Sequence, residues 1–389
     1  MNLCFINPSA VQRPEVYELA KHLPRKYSIT ILQPYSRIPS SQEFDLRENV
    51  HVKYVAALFI PIRNSIMTLP YPHSWIKELF TVVKKTQCDL IHVCDYEYMT
   101  SMSPMFVKKS YGIPMIIVND SLLGIGNYSL GSRPLDLLSR VYTLSLGKRI
   151  LEAYDRVVLL YSKLAVEARE LGLSSHKIVT IPNGIDTDEI DHFRESIDFA
   201  DARRKYNIKE SEHVILFIGR LVSVKRIHIL IAAIKNLVQQ GCNVRALIVG
   251  DGPLRNKLES LASSLRNSIT FTGPLFGREK YECYYIADLF MLPSQSEGLP
   301  TVLLEASAMG VPAVATNVNG VPDVIMHNKT GFLVEKSNLE SFEKYTKTLI
   351  ENEDLTKKMG KNARAHVKAN FSWNIIAKKY KEVYQSLLQ

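Results

Sequence analysis

Cysteine is sparse and unpatterned in this chain: Cys4, Cys88, Cys94, Cys242 and Cys283 show no CxxC spacing. That argues against a disulfide framework or a zinc site and reads the thiols as reduced core residues of a cytoplasmic protein. Long apolar runs are missing too, so no bilayer span is expected. The opening "MNLCFINPSA" has no charged leader and reads as a buried strand rather than a signal peptide. Basic motifs interleaved with aromatics are absent, which sets nucleic acid aside although the formal net charge is +9. That charge leaves an anionic membrane face or a phosphorylated substrate as partners.

With 389 residues, 46% of them hydrophobic, the chain can bury more than one core, and two domains of similar size are expected. Short apolar runs rich in β-branched residues alternate with helix-period segments. In the first half they are "LCFIN", "YSITIL", "VKYVAA", "DLIHVC", "PMIIVN", "DRVVLLYS" and "KIVTIP". Near-continuous apolar strands separated by helices predict a parallel sheet covered on both faces. The acidic stretch "NGIDTDEIDHFRESIDFADARRKYN" reads as a linker, and the pattern restarts at "EHVILFIGR", continuing through "NVRALIVG", "SITFTG", "DLFMLPS", "PAVATN" and "GFLV". The fold class is therefore α/β, with two doubly wound Rossmann-like domains facing each other across a cleft. Their expected bounds are 1–200 and 201–370, with a helix at 371–389 packing back towards the N-terminal domain.

Ligands of such sheets bind beyond the carboxyl ends of the strands. At those positions in the second half stand Gly219 and Arg220, then Gly250, Asp251 and Gly252, then Gly273, then Ser294 to Pro300. Arg220 and Lys225, beside a strand end and a helix start, combine a guanidinium fork with a point-charge ammonium and form a diphosphate clamp. "EGLPT" opens a second helix, with Pro300 suited to the first helical position and free backbone N–H groups after it. "SEGLPTVLLEASAMGVP" places Glu297 before that helix and Glu305 within it. A carboxylate in so apolar a setting needs a partner. Glu305, on the helix face of Thr301, can accept hydrogen bonds from a ribose diol, and Glu297 can hold the hydroxyls of a transferred sugar. The bland alternative is a loop glutamate and a core-edge carboxylate satisfied by backbone donors.

"FIGRLVSVKR", "LIVGDGPLRNKLESLA", "ITFTGPL" and "SEGLPTVLLEASAMGVPAVATNVNGVPDVI", in that order, resemble the donor domain of glycosyltransferase family 4, which has the GT-B fold. "DRVVLLYSKLAVEARELGLSSHKIVTIPNGIDTDEI" and "NFSWNIIAKKYKEVYQSLL" resemble the family's interdomain segment and C-terminal helix. The resemblance implies a transferase that moves a sugar from a UDP- or GDP-type donor to a hydroxyl acceptor with retention, using no metal and no other cofactor. It assigns Arg220 and Lys225 to the donor phosphates, Glu305 to the ribose, Glu297 to the sugar and Leu275 to the surroundings of the base. Gly250, Gly252 and the run Gly298, Leu299, Pro300 and Thr301 complete the donor site. Two alternatives stay open: another GT-B enzyme such as a sugar-nucleotide 2-epimerase, and a non-catalytic sugar-nucleotide binder.

The first half departs from the family pattern. "NPSAVQRPEVYELAKHL" replaces the glycine-rich loop after the first strand, which bears on backbone approach at Asn7 to Val11. The family's histidine after a central strand is absent from "IIVNDSLLGIG", where Asn119 or Asp120 stands in its place, and the register favours Asp120 as a candidate catalytic group beside Glu297, Arg220 and Lys225. His92 reads as a packed strand histidine. "DTD" at Asp186 to Asp188 resembles a metal-binding motif of other glycosyltransferases, yet its place in the linker argues against a metal. The stretch "YVAALFIPIRNSIMTLPYPHSWI" and a helix from Pro134 to Tyr154 bearing Arg140, Lys148 and Arg149 are apolar and basic. Exposed, they would form a surface for anionic lipid, and the acceptor expected is a lipid, a lipid-linked sugar or a glycan.

Overall fold

A computed structural model describes residues 1–8, 13–35, 46–62, 65–70, 72–97, 99–126 and 133–389. The chain divides into two compact units, Met1–Gly184 with Trp373–Gln389, and Ile185–Ser372. The expected loop at Asn7 to Val11 falls largely outside the described residues.

The first unit is built on the parallel strands β1 (Asn2–Ile6), β2 (Ser28–Pro34) and β3 (Val50–Val55). An antiparallel hairpin, β4 (Ala57–Ile62) and β5 (Ser65–Pro70), follows. The sheet continues with β6 (Leu90–Cys94), β7 (Met115–Asn119), β8 (Arg156–Leu159) and β9 (Ile178–Thr180). The order is β3-β2-β1-β6-β7-β8-β9. The hairpin was not foreseen in "YVAALFIPIRNSIMTLPYP", read from the sequence only as an apolar, basic stretch. Pro61 and Pro70 mask its alternation, and a separate two-stranded ribbon tolerates prolines that a central strand does not.

The helix Trp373–Leu387 belongs to this first unit. Its Trp373, Ile376, Ala377, Tyr380 and Tyr384 join Phe5, Leu19, Ile31 and Leu90 in one core. Tyr384 meets His92 on β6, oxygen to Nδ1 at 2.7 Å, while the His92 ring packs on Phe5 and Tyr380. Burial pushes the His92 pKa down to about 3 from 6.5, so the ring is neutral and structural. The linkage sign follows: His92 favours the fold above pH 6.5, and this is lost as pH falls towards 3, because the unfolded chain binds the proton first. Between pH 7 and pH 4 the wild type should lose up to ~3 kcal/mol more unfolding free energy than His92→Gln. Equal slopes in denaturant titrations at the two pH values would show that His92 titrates normally.

The second unit contains β10 (His213–Ile218), β11 (Val244–Val249), β12 (Ile269–Gly273), β13 (Leu289–Leu292), β14 (Ala313–Thr316) and β15 (Gly331–Val334). All pair in parallel, in the order β12-β11-β10-β13-β14-β15. The central strands are runs of mostly buried apolar residues, as a sheet covered on both faces requires, while the edge strand β12 is only half-buried along its middle. The acidic stretch read as a linker instead forms two helices of this unit, Thr187–Ser196 and Phe199–Lys205. Ile190 is fully buried, Phe193 stacks on Tyr281 at 4.7 Å, and Asp191 pairs with Arg364 and Lys368, so the acidic residues cover an apolar face. Asp186, first of the "DTD" carboxylates, caps the Thr187 helix by accepting from the backbone N–H groups of Asp188 and Glu189.

Candidate functional site

In the second sheet the chain runs outward from β10 in both directions, so the switch point lies between β10 and β13. The residues beyond those two strands carry the chemistry. After β10, Gly219 and Arg220 lead into a short turn, Ser223–Lys225, and then the helix Ile227–Gln239. Arg226 joins turn to helix with a left-handed φ of +48°. After β13, Pro293 to Pro300 lead into the helix Thr301–Met309. Pro300 stands at its N-cap, one residue earlier than the sequence suggested, and no side chain caps the helix.

These two loops bring Lys225 and Glu297 together across 72 residues of chain: Lys225 Nζ donates to Glu297 Oε1 at 2.6 Å. Only 8% of the Glu297 side chain and 19% of the Lys225 side chain reach solvent. An ammonium and a carboxylate so placed hold each other's orientation and offer a spare acceptor oxygen beside spare N–H donors. Arg220 is exposed in the same loop, and among the described residues no ion pair or hydrogen bond engages its guanidinium. It is free to swing onto an incoming anion.

The backbone around the pair is fixed from three sides. Gln295 N–H donates to Val224 O at 2.8 Å, tying the two loops directly. Asn319, beyond β14, donates through Nδ2 to Glu297 O at 2.7 Å and to Ser296 Oγ at 3.1 Å. Gly320 N–H reaches Gly298 O at 3.1 Å. Sequence reasoning passed over Asn319, whose Asn-Gly dipeptide reads only as a turn; its left-handed φ of +43° is the trace of that turn. Leu299 is buried beneath the loop, and Thr301 begins the helix exposed.

Gly250 and Gly252 support the site by packing. A Cβ on Gly252 would lie 2.6 Å from Leu221 O, and one on Gly250 would strike Gly219 O. The loop after β11 thus lies against the loop that carries Arg220 and Lys225, which needs bare backbone. Leu275 is half-buried two residues past β12. Glu305 is engaged elsewhere: its Oε1 accepts from Lys280 Nζ at 2.9 Å and its Oε2 from the Tyr284 hydroxyl at 2.8 Å. Neither partner was foreseen; both lie on the helix Gly277–Tyr285, which flanks the Thr301 helix. Asp120 belongs to the first unit, exposed at the end of β7, where Asp95 and Glu97 also gather; no spacing in "VCDYEY" marked those two.

A parallel Rossmann-like sheet in each unit gives an α/β protein of the GT-B fold class, with a cation–carboxylate pair at the switch point of the second sheet. The model "Glycosyltransferase Family 4" matches residues 16–189, and "Glycosyl transferases group 1" matches residues 198–366. The chain belongs to the family 4 glycosyltransferases.

N-acetyl-alpha-D-glucosaminyl L-malate synthase of Bacillus anthracis is 29% identical over 82% of this chain and 80% of its own length. A GDP-mannose-dependent alpha-(1-6)-phosphatidylinositol monomannoside mannosyltransferase of Mycobacterium tuberculosis is 32% identical over 51% of this chain and 53% of its own length. Several relatives are matched over only about half of their length. The solved structure of Anabaena HepE in complex with UDP-glucose superposes with a TM-score of 0.74 at 17% identity, covering 99% of this chain and 100% of that one.

Proposed function

We propose that this glycosyltransferase takes a sugar from a nucleotide diphosphate donor of the UDP or GDP kind and attaches it, with retention and without a metal, to a hydroxyl of a lipid, lipid-linked sugar or glycan. The observation that carries the donor half is the Lys225–Glu297 pair at the β10–β13 switch point with the uncommitted Arg220 beside it. Lys225 and Arg220 take the diphosphate, supplying the positive charge that a metal provides in other phosphate sites. Glu297 steadies the sugar as positive charge develops at its anomeric carbon. As the bond from that carbon to the diphosphate breaks, the acceptor hydroxyl adds on the same face, and its proton passes to the departing phosphate oxygen. No protein nucleophile is required, so positioning and leaving-group stabilisation account for the rate. Glu305, released from Lys280 or sharing it, accepts the ribose hydroxyls, and Leu275 lies near the base. Relatives and neighbours support the donor class by name: one is GDP-mannose-dependent and one was solved with UDP-glucose.

Thermal stabilisation against UDP- and GDP-sugars, with and without a chelator, tests this reading, since a ligand binding only the folded form must raise its stability. One nucleotide series should shift the wild type and lose its effect on Lys225→Ala. No shift with any nucleotide sugar would overturn the donor assignment.

A lipid-facing acceptor is supported by the helix Arg133–Tyr142 and the π-type turn Thr143–Gly147 that continues it. Ser139, Thr143 and Gly147 face inward, where the Thr143 hydroxyl meets the Tyr96 hydroxyl at 2.7 Å. Leu137, Leu138, Val141 and Leu144 form the opposite stripe, each more than half exposed, with Arg140 and Arg149 exposed nearby. Such a stripe suits shallow insertion into an anionic bilayer surface. No helix among the described residues is long and apolar enough to cross a membrane, so any contact through this element is peripheral. Leu137→Gln/Leu138→Gln is expected to cut cosedimentation with phosphatidylglycerol vesicles by about tenfold, at roughly 0.8 kcal/mol per buried methylene withdrawn. Unchanged sedimentation would show that the stripe does not touch lipid.

A further inference from the structure

One cation of the second unit stands beside the donor residues with no part yet in the transfer. Lys280 lies on the helix Gly277–Tyr285, five residues past Leu275. Glu279 and Glu282 on the same helix both turn to Lys205, each at 2.9 Å. Lys280 turns instead to the helix Thr301–Met309, where its Nζ donates to Glu305 Oε1 at 2.9 Å. The ammonium also lies 4.7 Å from the centre of the Tyr281 ring, which is itself stacked on Phe193. A cation between a carboxylate and an aromatic face is held in place, whereas a lone surface lysine is not. Of the Lys280 and Glu305 side chains, 23% and 16% stay exposed, so a ligand can reach both.

Tyr284 fixes the other carboxylate oxygen. It is fully buried, and its hydroxyl donates to Glu305 Oε2 at 2.8 Å. Val302 O, at 3.2 Å, competes for the same proton from further away. Burial pushes the Tyr284 hydroxyl well above its usual range and Glu305 adds to the rise, so it remains a donor. Gripped at both oxygens, Glu305 has a set orientation. A carboxylate accepts about four hydrogen bonds, shared between its oxygens, and Lys280 and Tyr284 fill one position on each. One acceptor position per oxygen remains, which is the complement of two neighbouring O–H groups. The Lys280 ammonium, with three N–H donors, keeps donors to spare beside Oε1.

We infer that Lys280 is a specificity-determining residue of the donor site: with Glu305 it forms a donor–acceptor pair that requires both ribose hydroxyls, so that the enzyme takes ribonucleoside diphosphate sugars and rejects their 2'-deoxy counterparts. The inference rests on the donor reading above, in which Glu305 takes the ribose. A hydroxyl donates and accepts at once, so it can give its proton to Glu305 Oε1 while its oxygen receives an N–H of Lys280. A methylene does neither. Binding a deoxyribose would therefore leave an acceptor on Glu305 and a donor on Lys280 unmet after water has been displaced. Sites built around a substrate hydroxyl reject the analogue that lacks it on this ground. A carboxylate alone would lose only the acceptor, so the lysine sharpens the choice. It also offsets the charge of Glu305, which would otherwise repel the donor's diphosphate.

Titration calorimetry of the full chain with UDP and GDP, and with their 2'-deoxy and 3'-deoxy forms, tests this. Whichever ribonucleotide binds should do so at least about tenfold more tightly than either of its deoxy forms. Lys280→Met keeps the stem against Tyr281 and removes the N–H donors. It should narrow at least one of the two ratios by about threefold or more, weakening the ribonucleotide more than the deoxy form. Lys280→Gln, which keeps a partner for Glu305 should Lys280→Met fold poorly, is expected to narrow the same ratio, and Lys280→Arg to retain it. A lysine that only neutralised Glu305 or braced the helix would weaken both forms alike and leave the ratios standing. Ratios near unity in the wild type, or ratios unchanged in both Lys280→Met and Lys280→Gln, would overturn the inference and leave the donor site in place. Failure of every nucleotide to bind would overturn the donor reading itself, and the role of Lys280 would fall with it.

Discussion

Lys225→Ala is expected to lower sugar transfer by about 100-fold or more, the scale on which a charge aimed at a leaving group contributes in a site shielded from water. The same substitution removes the partner of a carboxylate whose side chain is only 8% exposed. Loss of activity alone would therefore not separate chemistry from folding. Breaking a buried pair from one side costs about 3 kcal/mol, because the remaining charge is left desolvated. A double-mutant cycle resolves the two effects. In Lys225→Ala/Glu297→Ala the orphaned charge is gone, so stability should recover relative to either single variant, while transfer should stay as low as in the worse of them. Glu297→Gln supplies the complement: it keeps an acceptor for Lys225 at nearly the same shape, and should lower kcat far more than it lowers the unfolding midpoint. If activity recovered together with stability in the double variant, the pair would be a structural strut and the diphosphate clamp would have to be sought elsewhere.

What could be read from the sequence, and what could not, follows from the range of each signal. Both parallel sheets were legible because a strand buried on both faces must be apolar throughout, as "VILFI" and "RALIV" are, and that constraint is local. The candidate donor residues were named as a set because most of them lie in loops that follow strand ends or at the start of a helix, Glu305 alone standing within one. Their pairing was not, since nothing local relates Lys225 to Glu297, or Glu305 to Lys280 and Tyr284. The helices Thr187–Ser196 and Phe199–Lys205 were hidden by composition: acidic residues suggested a solvated linker, whereas Asp191 is spent on Arg364 and Lys368. The hairpin Ala57–Pro70 was hidden by its prolines. Asp95 and Glu97, unlike Asp120, escaped notice for a different reason. Asp120 stands where the family's histidine would, whereas Asp95 comes beside it only when β6 and β7 pair side by side.

Gly250→Ala should have the largest effect on stability of any single-methyl addition in the second unit. Gly250 has a φ of +131°, a conformation L-residues rarely adopt, and the added carbon would run into the carbonyl oxygen of Gly219. Neither side can yield cheaply. Gly219 N–H donates to Val249 O at 3.0 Å, Leu221 N–H to Asp251 O at 2.9 Å, and Gly250 N–H to Gly273 O at 2.8 Å, so the ends of three adjacent strands are tied through this point. Strain of about 1–3 kcal/mol from the backbone alone, with the overlap added, places the expected cost at roughly 4 kcal/mol. Gly241 is the control: its φ of +81° is also left-handed, but nothing lies within 4 Å of its missing Cβ, so Gly241→Ala should cost only about 1 kcal/mol. Chemical unfolding of the two variants measures the difference. Nucleotide-sugar binding measured below the unfolding transition then shows what the close approach is for, because moving Gly219 displaces Arg220 and the turn that carries Lys225. If Gly250→Ala accommodated the added methyl with its donor affinity intact, the β10 loop would be able to shift without moving the cations. The glycine would then be a requirement of sheet packing alone.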